Sequence, residues 1–125
     1  MLTKLQIEEL DKVKAEIEDD RLKLIVKKAI ENWKTDVIPR KGDYGVYVND
    51  EKVIDPIKGG CCLLGTAVIG IKSSKFWVDW HEICSDFNIS QEEHDSIING
   101  FDGGDNYTDH FWYKIARKIG EIVCP

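Results

Sequence analysis

The stretch from Cys61 to Ile71 most constrains how this chain can fold, because it carries no charged side chain. It is far shorter than the roughly 20 apolar residues that span a bilayer. The stretch must therefore form the buried centre of the fold. Cys62, Thr66 and Gly70 are small and spaced by four, which favours a helix packed closely against a neighbour. The β-branched residues of the stretch leave a strand as the alternative.

Length and composition predict one globular domain around that centre. The chain has 125 residues, of which 42% are hydrophobic and 32% charged. This is enough to bury a core without disulfide bonds. No segment resembles a signal peptide or a membrane span, so we expect a protein of the cytoplasm. Within a single domain covering 1–125 we expect an N-terminal helical segment over 1–38, a hairpin over 44–58 and a helical core over 60–123.

The N-terminal segment predicts two helices with a break between them. Thr3 followed by Gln6 matches a capping box. Two apolar stripes follow at helical spacing, and the step from Ile17 to Leu22 rotates the second stripe by roughly 140°. We therefore expect a break near Asp19–Asp20, where an aspartate can cap the second helix. One continuous helix that changes its packing partner is the alternative.

A short alternating segment predicts a β-hairpin after these helices. Tyr44, Val46 and Val48 alternate with other residues, Asn49–Asp50 is a typical turn, and a return strand starts at Lys52. Two strands alone are marginally stable, so the hairpin is expected to pack on the helices. The predicted fold class is therefore α+β, a mostly helical single domain with one small antiparallel hairpin.

The C-terminal half predicts three further helices. The first is an aromatic-rich helix from Phe76 to Phe87. Ser90 and Glu93 match a second capping box, and Asn99–Gly100 is a typical helix stop. Thr108 is then expected to cap the last helix. The predicted buried stripe of that helix consists of Phe111, Trp112, Ile115, Ile119 and Ile122.

Charge is unevenly distributed and bears directly on function. The net charge is −6, and residues 75–110 carry a single lysine against nine carboxylates. Such a segment repels a phosphate backbone, which argues against general nucleic-acid binding, and it can steer a basic partner. The candidate interaction residues are Asp102, Asp105, Asp109, Trp77 and Tyr113. The alternative is a solvated surface that only keeps the protein soluble.

A small-ligand site is a further hypothesis. Lys58, Gly59 and Gly60 precede the predicted central helix. Backbone amides of paired glycines before a helix can form a nest for an anion such as a nucleotide phosphate. The complete phosphate-binding loop and dinucleotide motifs are absent, however. The other interpretation is that the glycines only turn the chain.

A thiol or zinc enzyme is the remaining alternative. Cys61 lies at a predicted helix start, where the helix dipole lowers a thiol pKa, but a nucleophile also needs a histidine within reach. Cys61, His81 and Cys84 are weak candidate zinc ligands, because no C-x-x-C pair is present. Packing of reduced cysteines in the core is the simpler interpretation. We expect no metal and no cofactor.

Three short motifs carry a family resemblance. They are Gly60–Gly65 (GCCLLG) after the hairpin, Asn88–Glu93 (NISQEE) at a helix start, and Gly100–Gly103 (GFDG). Together they resemble small uncharacterised proteins of phages and bacterial genomes. The resemblance implies a phage or prophage accessory protein, and no activity or residue role comes with it.

The leading interpretation is a small, non-enzymatic accessory or modulator that binds another protein. No complete catalytic or cofactor motif is present, while an acidic segment and more aromatic rings than a small core can hide both suit a protein contact. The expected partner has a basic surface, or is a second copy of the chain. A binding protein for an anionic, nucleotide-like ligand and a thiol or zinc-dependent enzyme are the alternatives.

Overall fold

Six helices and one short strand pair make up the described part of the chain. The computed structural model describes residues 2–35, 37–42, 46–48, 51–53, 60–69 and 80–125. The helices are α1 (Lys4–Ala15), α2 (Asp20–Trp33), α3 (Leu63–Val68), α4 (Trp80–Phe87), α5 (Gln91–Asp102) and α6 (Phe111–Val123), and the strands are β1 (Val46–Val48) and β2 (Glu51–Val53). None of the helices described is long and apolar enough to cross a lipid bilayer.

The expected α+β class is wrong, because the fold is predominantly helical. Strands β1 and β2 are three residues each and pair antiparallel only with each other. A ladder this short offers no face broad enough to form a layer of a core. The buried apolar side chains that the structure describes come instead from the helices and from the segments beside them.

Local capping decides where three of the helices begin. Thr3 and Gln6 form the expected capping box at α1, and the Asp19 carboxylate accepts a hydrogen bond from the Arg21 backbone N–H at the start of α2. Ser90 Oγ accepts from the Glu93 N–H at 3.1 Å, and Glu93 Oε1 accepts from the Ser90 N–H at 2.9 Å. These predicted caps, and the break between α1 and α2, are confirmed.

The apolar stretch lies at the centre of the fold as expected. Residues 61–68 are all buried, and α3 packs on the apolar face of α2. The Cys62 sulfur accepts from the Gly65 N–H at 3.5 Å and so caps α3. The predicted helix is confirmed over Leu63–Val68, while Gly70 and Ile71 lie outside the described residues.

Helices α5 and α6 cross at backbone-to-backbone distance. A Cβ atom on Gly100 would overlap the backbone carbonyl of Tyr113, and one on Gly120 would lie 2.5 Å from the Phe101 carbonyl oxygen. The predicted stop at Gly100 is therefore wrong, because this glycine lies inside α5 to permit the crossing. The helix ends at Asp102, and Gly103 follows as its C-cap with a left-handed φ of 80°. The Gly103 backbone N–H donates to the carbonyl oxygens of Asn99 and Gly100 in the last turn.

Candidate functional site

Tyr113 does not belong to a surface, contrary to expectation. Its side chain is 2% exposed, and its hydroxyl donates to the Gly104 carbonyl oxygen in the α5–α6 loop. The ring lies on the buried face of α6, and its hydroxyl holds the α5–α6 loop against that helix through this hydrogen bond. Trp77, the other aromatic candidate, lies outside the described residues.

The three candidate aspartates of the α5–α6 region have different surroundings. Asp102 is partly buried, and its Oδ1 accepts from the Gly42 backbone N–H at 2.8 Å, which links α5 to the segment after α2. Asp105 and Asp109 are exposed in the loop. Between them lies Tyr107, a partly exposed ring on a left-handed backbone (φ 64°). This loop therefore presents two carboxylates and one ring to solvent.

Gly60 is used for packing in the structure. It is buried with a left-handed φ of 77°, and an added Cβ would lie 2.5 Å from the Ile38 carbonyl oxygen. Beside this contact, the Cys61 N–H donates to the Ile38 carbonyl oxygen and the Arg40 N–H donates to the Cys61 carbonyl oxygen, which forms an isolated parallel bridge between Pro39 and Cys61. Lys58 and Gly59, the other members of the candidate anion site, lie outside the described residues.

The cysteines have the surroundings of packing residues. Cys61 and Cys62 are buried, and burial, with the nearby Asp95 and Glu93 carboxylates, raises the pKa of the Cys84 thiol. A raised pKa lowers the thiolate fraction on which nucleophilic attack depends. His81 is exposed. Among the residues that the structure describes, no three histidine, cysteine or acidic side chains are grouped to hold a metal ion.

A groove with an aromatic wall and acidic rim lies where the α1–α2 joint meets the start of α6. Glu16, Glu18, Asp19 and Phe111 line this space of about 520 Å³, which we call the acidic–aromatic groove. The Phe111 side chain is 49% exposed, although it is a large apolar group. The groove thus combines an accessible ring face with three carboxylates.

Helix α6 begins at Phe111 with His110 as its N-cap, so the predicted cap at Thr108 is wrong. The His110 Nδ1 accepts from the Trp112 backbone N–H at 3.1 Å and caps the helix. The buried face of α6 is centred near Ala116 and Val123. At about 100° per residue, Phe111 lies roughly 120° from that centre. The predicted inward orientation of Phe111 is therefore wrong, whereas Trp112 is buried as expected.

Arg21 fixes the acidic edge of the groove to the rest of the molecule. Its guanidinium donates to Asp19 through Nε and Nη2, to Glu93 through Nη1 and Nη2 at 2.9 and 2.7 Å, and to the Asn88 carbonyl at 2.9 Å. The same group lies 5.1 Å from the centre of the Trp112 ring. All five N–H donors are used, which joins α2, α5 and α6 at one point.

The ion-pair network keeps its carboxylates charged. The hydrogen bonds from Arg21 hold the pKa of Asp19 below its usual value. Burial acts to raise the pKa of Glu93, but hydrogen bonds from Ser90 and Arg21 outweigh it and the pKa is lowered. Both groups are therefore anionic at neutral pH.

The other two carboxylates of the groove differ in how much of their charge is free. Glu16 Oε2 accepts from Lys118 Nζ at 2.9 Å, with both side chains about half exposed. Glu18 is exposed and makes no hydrogen bond or ion pair with the described part of the chain. An ammonium or guanidinium group entering the groove could contact the Phe111 ring face and pair with Glu18 together.

The sequence contains one signal for the acidic–aromatic groove, the negative charge of the N-terminal segment. Residues 1–20 carry 3 basic and 7 acidic side chains. The acidic run at residues 18–20 contains the aspartate cap of α2, and its sequence alone does not distinguish a helix cap from the wall of a groove. Nothing in the sequence shows that the α1–α2 joint lies beside Phe111, because more than ninety residues separate them.

Another groove, of about 530 Å³, lies between α1 and α6. Glu9, Lys12, Lys118 and Glu121 give it mixed charge, so it does not select a partner by charge.

Comparison of the chain with protein-family models, with curated proteins and with solved structures finds no match. The site is therefore interpreted from its own geometry.

Proposed function

We propose that this protein is a small non-enzymatic accessory or modulator protein that binds another protein through the acidic–aromatic groove. The observation that carries the proposal is the half-exposed Phe111 ring among the carboxylates of Glu16, Glu18 and Asp19. A partner with a basic surface fits this groove best. We place the activity in the cytoplasm and in the phage or prophage setting that the sequence resemblance implies.

The energetics of such a contact support this assignment. An aromatic side chain that becomes buried at the centre of an interface is a common source of binding free energy. Lysine or arginine over an aromatic ring contributes about 0.5–1 kcal/mol at an exposed site, and rim carboxylates mainly raise the association rate. Phe111 would therefore provide affinity, and Glu18 would provide selectivity for basic partners.

Rigidity supports the same assignment. Arg21 holds Asp19 in place through two hydrogen bonds, and Trp112, the residue after Phe111, lies beneath the same guanidinium. Both walls of the groove are thus attached to one network. A preformed surface loses less conformational entropy when a partner binds.

The non-enzymatic part of the proposal rests on the cysteines. The raised pKa of Cys84 disfavours a thiolate, and Cys61 and Cys62 are buried in the core. A nucleophile needs both access to substrate and a stabilised anion. These thiols therefore suit packing better than catalysis.

Affinity capture with matched variants tests the proposal. Immobilised parent protein, Phe111→Ala, Glu18→Lys and Leu5→Ala are compared for the proteins they retain from a bacterial lysate at about 50 mM and about 0.3 M salt. Leu5 is the control, because it is 64% exposed on α1 and does not line the groove. Partners should be retained by the parent and Leu5→Ala and lost from the two groove variants. Equal retention by all four proteins would refute binding of a different protein through the groove.

A further inference from the structure

A second groove beside the α1–α2 joint has the opposite charge. Lys14, Lys23 and Lys27 line it together with Asp20 and Leu24, around a space of about 410 Å³, and we call it the basic groove. Leu24 is 43% exposed. Lys23 and Lys27 are exposed and form no ion pair with the residues described, so their charges are available to a partner.

The basic groove complements the acidic–aromatic groove in the charge of its lining residues. One has an exposed aliphatic side chain between lysines, and the other has an exposed ring among carboxylates. Apolar contact between Leu24 and Phe111 would exclude water, and Lys23 and Lys27 would face Glu16 and Glu18.

The two grooves border the same joint between α1 and α2. Glu16, Glu18 and Asp19 belong to one groove, whereas Lys14 and Asp20 belong to the other. A two-fold axis that passes between the two grooves would bring the acidic–aromatic groove of each copy against the basic groove of the other. Such an isologous contact is closed, so it produces a dimer and not a filament.

We propose that the basic partner of the acidic–aromatic groove is a second copy of this chain, docked through its basic groove. This inference rests on the proposed function and names its partner. The charge of −6 on each copy opposes association, and so the contact is a weak, salt-sensitive one. At moderate salt the repulsion over the whole surface is screened more strongly than the close pairs at the interface.

Sedimentation equilibrium of the purified protein tests the proposal without any other component. At about 0.1 M salt the parent should show a reversible monomer–dimer equilibrium, and at about 1 M salt it should be a monomer. The variants are Lys23→Glu/Lys27→Glu in the basic groove and Glu16→Lys/Glu18→Lys in the acidic–aromatic groove. Each variant alone should be a monomer at both salt concentrations. Circular dichroism and thermal unfolding confirm that both variants fold.

Mixing the two charge-reversed variants gives the decisive measurement. Each interface in the mixture again faces opposite charges, so an equimolar mixture should regain the dimer that neither variant forms alone. Phe111→Ala should weaken the parent dimer at least fivefold, while Leu5→Ala should leave it unchanged. A parent that stays monomeric at millimolar concentration, or a dimer unaffected by either double variant, would overturn the proposal.

The outcome separates this inference from the proposed function. If the purified protein is monomeric but Phe111→Ala still loses a partner from the lysate, the homodimer is refuted and the binding function stands. If the protein is monomeric and the capture experiment shows no difference, both are refuted. If charge reversal restores the dimer in the mixture, a second copy is established as a partner of the groove.

Discussion

Replacing Arg21 with methionine removes the guanidinium that joins α2, α5 and α6. The Arg21 side chain is 36% exposed and the Glu93 side chain is 18% exposed, so the network of hydrogen bonds is neither fully buried nor fully solvated. Methionine has a similar length and no charge. The substitution therefore removes the hydrogen bonds with little change in packed volume.

The expected loss of stability in Arg21→Met follows from the contacts that Arg21 makes. Exposed ion pairs contribute about 0–1 kcal/mol, whereas removing one partner of a fully buried pair costs about 3–5 kcal/mol. The bidentate pair with Glu93 lies between these limits. The Asn88 carbonyl also loses its donor, and Trp112 loses the cation above its ring. We expect Arg21→Met to lower the free energy of unfolding by about 2 kcal/mol.

Arg117→Met is the matched control for this prediction. Arg117 Nε donates to Glu121 Oε1 at 3.2 Å within α6, and both side chains are more than half exposed. Because water screens this pair, the control should unfold like the parent within experimental error. Arg21→Lys should lower the free energy of unfolding by about half as much as Arg21→Met, because lysine keeps the positive charge but not the planar fork of hydrogen-bond donors.

Urea unfolding followed by tryptophan fluorescence and by far-ultraviolet circular dichroism measures these differences. The slope of the transition should be the same in all variants, so that a shift in midpoint reports stability alone. If Arg21→Met and Arg117→Met lose equal stability, the network around Arg21 does not hold the helices together and the reasoning is wrong.

Three further predictions address the network and the helix crossing. The difference in free energy of unfolding between the parent and Arg21→Met should narrow below about pH 4.5 in urea titrations. The pKa values of Asp19 and Glu93 are lowered from their usual 3.8 and 4.5, so these carboxylates stabilise the fold while they are charged, and protonation removes that stabilisation as the pH falls. Gly120→Ala should lower the free energy of unfolding by about 1–3 kcal/mol, despite a higher helix propensity, because its Cβ would lie 2.5 Å from a backbone oxygen of α5. Gly103→Ala should lower the free energy of unfolding by about 1 kcal/mol because of the left-handed φ of 80° alone, since the new Cβ would have no neighbouring atom within 4 Å. Gly103→Asn should lower it less, and equal losses for the two variants would contradict this explanation.

Features that depend on a few neighbouring residues could be predicted from the sequence. The capping boxes at Thr3 and Ser90 and the aspartate cap at Asp19 each join groups two or three residues apart. The buried centre at 61–68 follows from the absence of any charge there. Such features need no knowledge of what packs against them.

Features that depend on distant segments could not be predicted in the same way. Gly100 resembles a helix stop until Tyr113 is seen to pack against it, and only then does the helix extend to Gly103. The α+β expectation failed for a related reason. Alternation over a few residues indicates a strand pair, but the number of layers in a core depends on which elements bury one another.

The candidate site shows the same division between local and tertiary information. By itself the sequence determined that the α1–α2 joint is acidic, because composition is independent of the fold, and that α6 carries more rings than one face can bury. Only the tertiary structure decided that Phe111, not Tyr113, is the exposed ring and that it lies beside Glu18. The physical reason is that the rotation of α6 is set by its close crossing with α5 at Gly120, a contact between segments that no local pattern encodes.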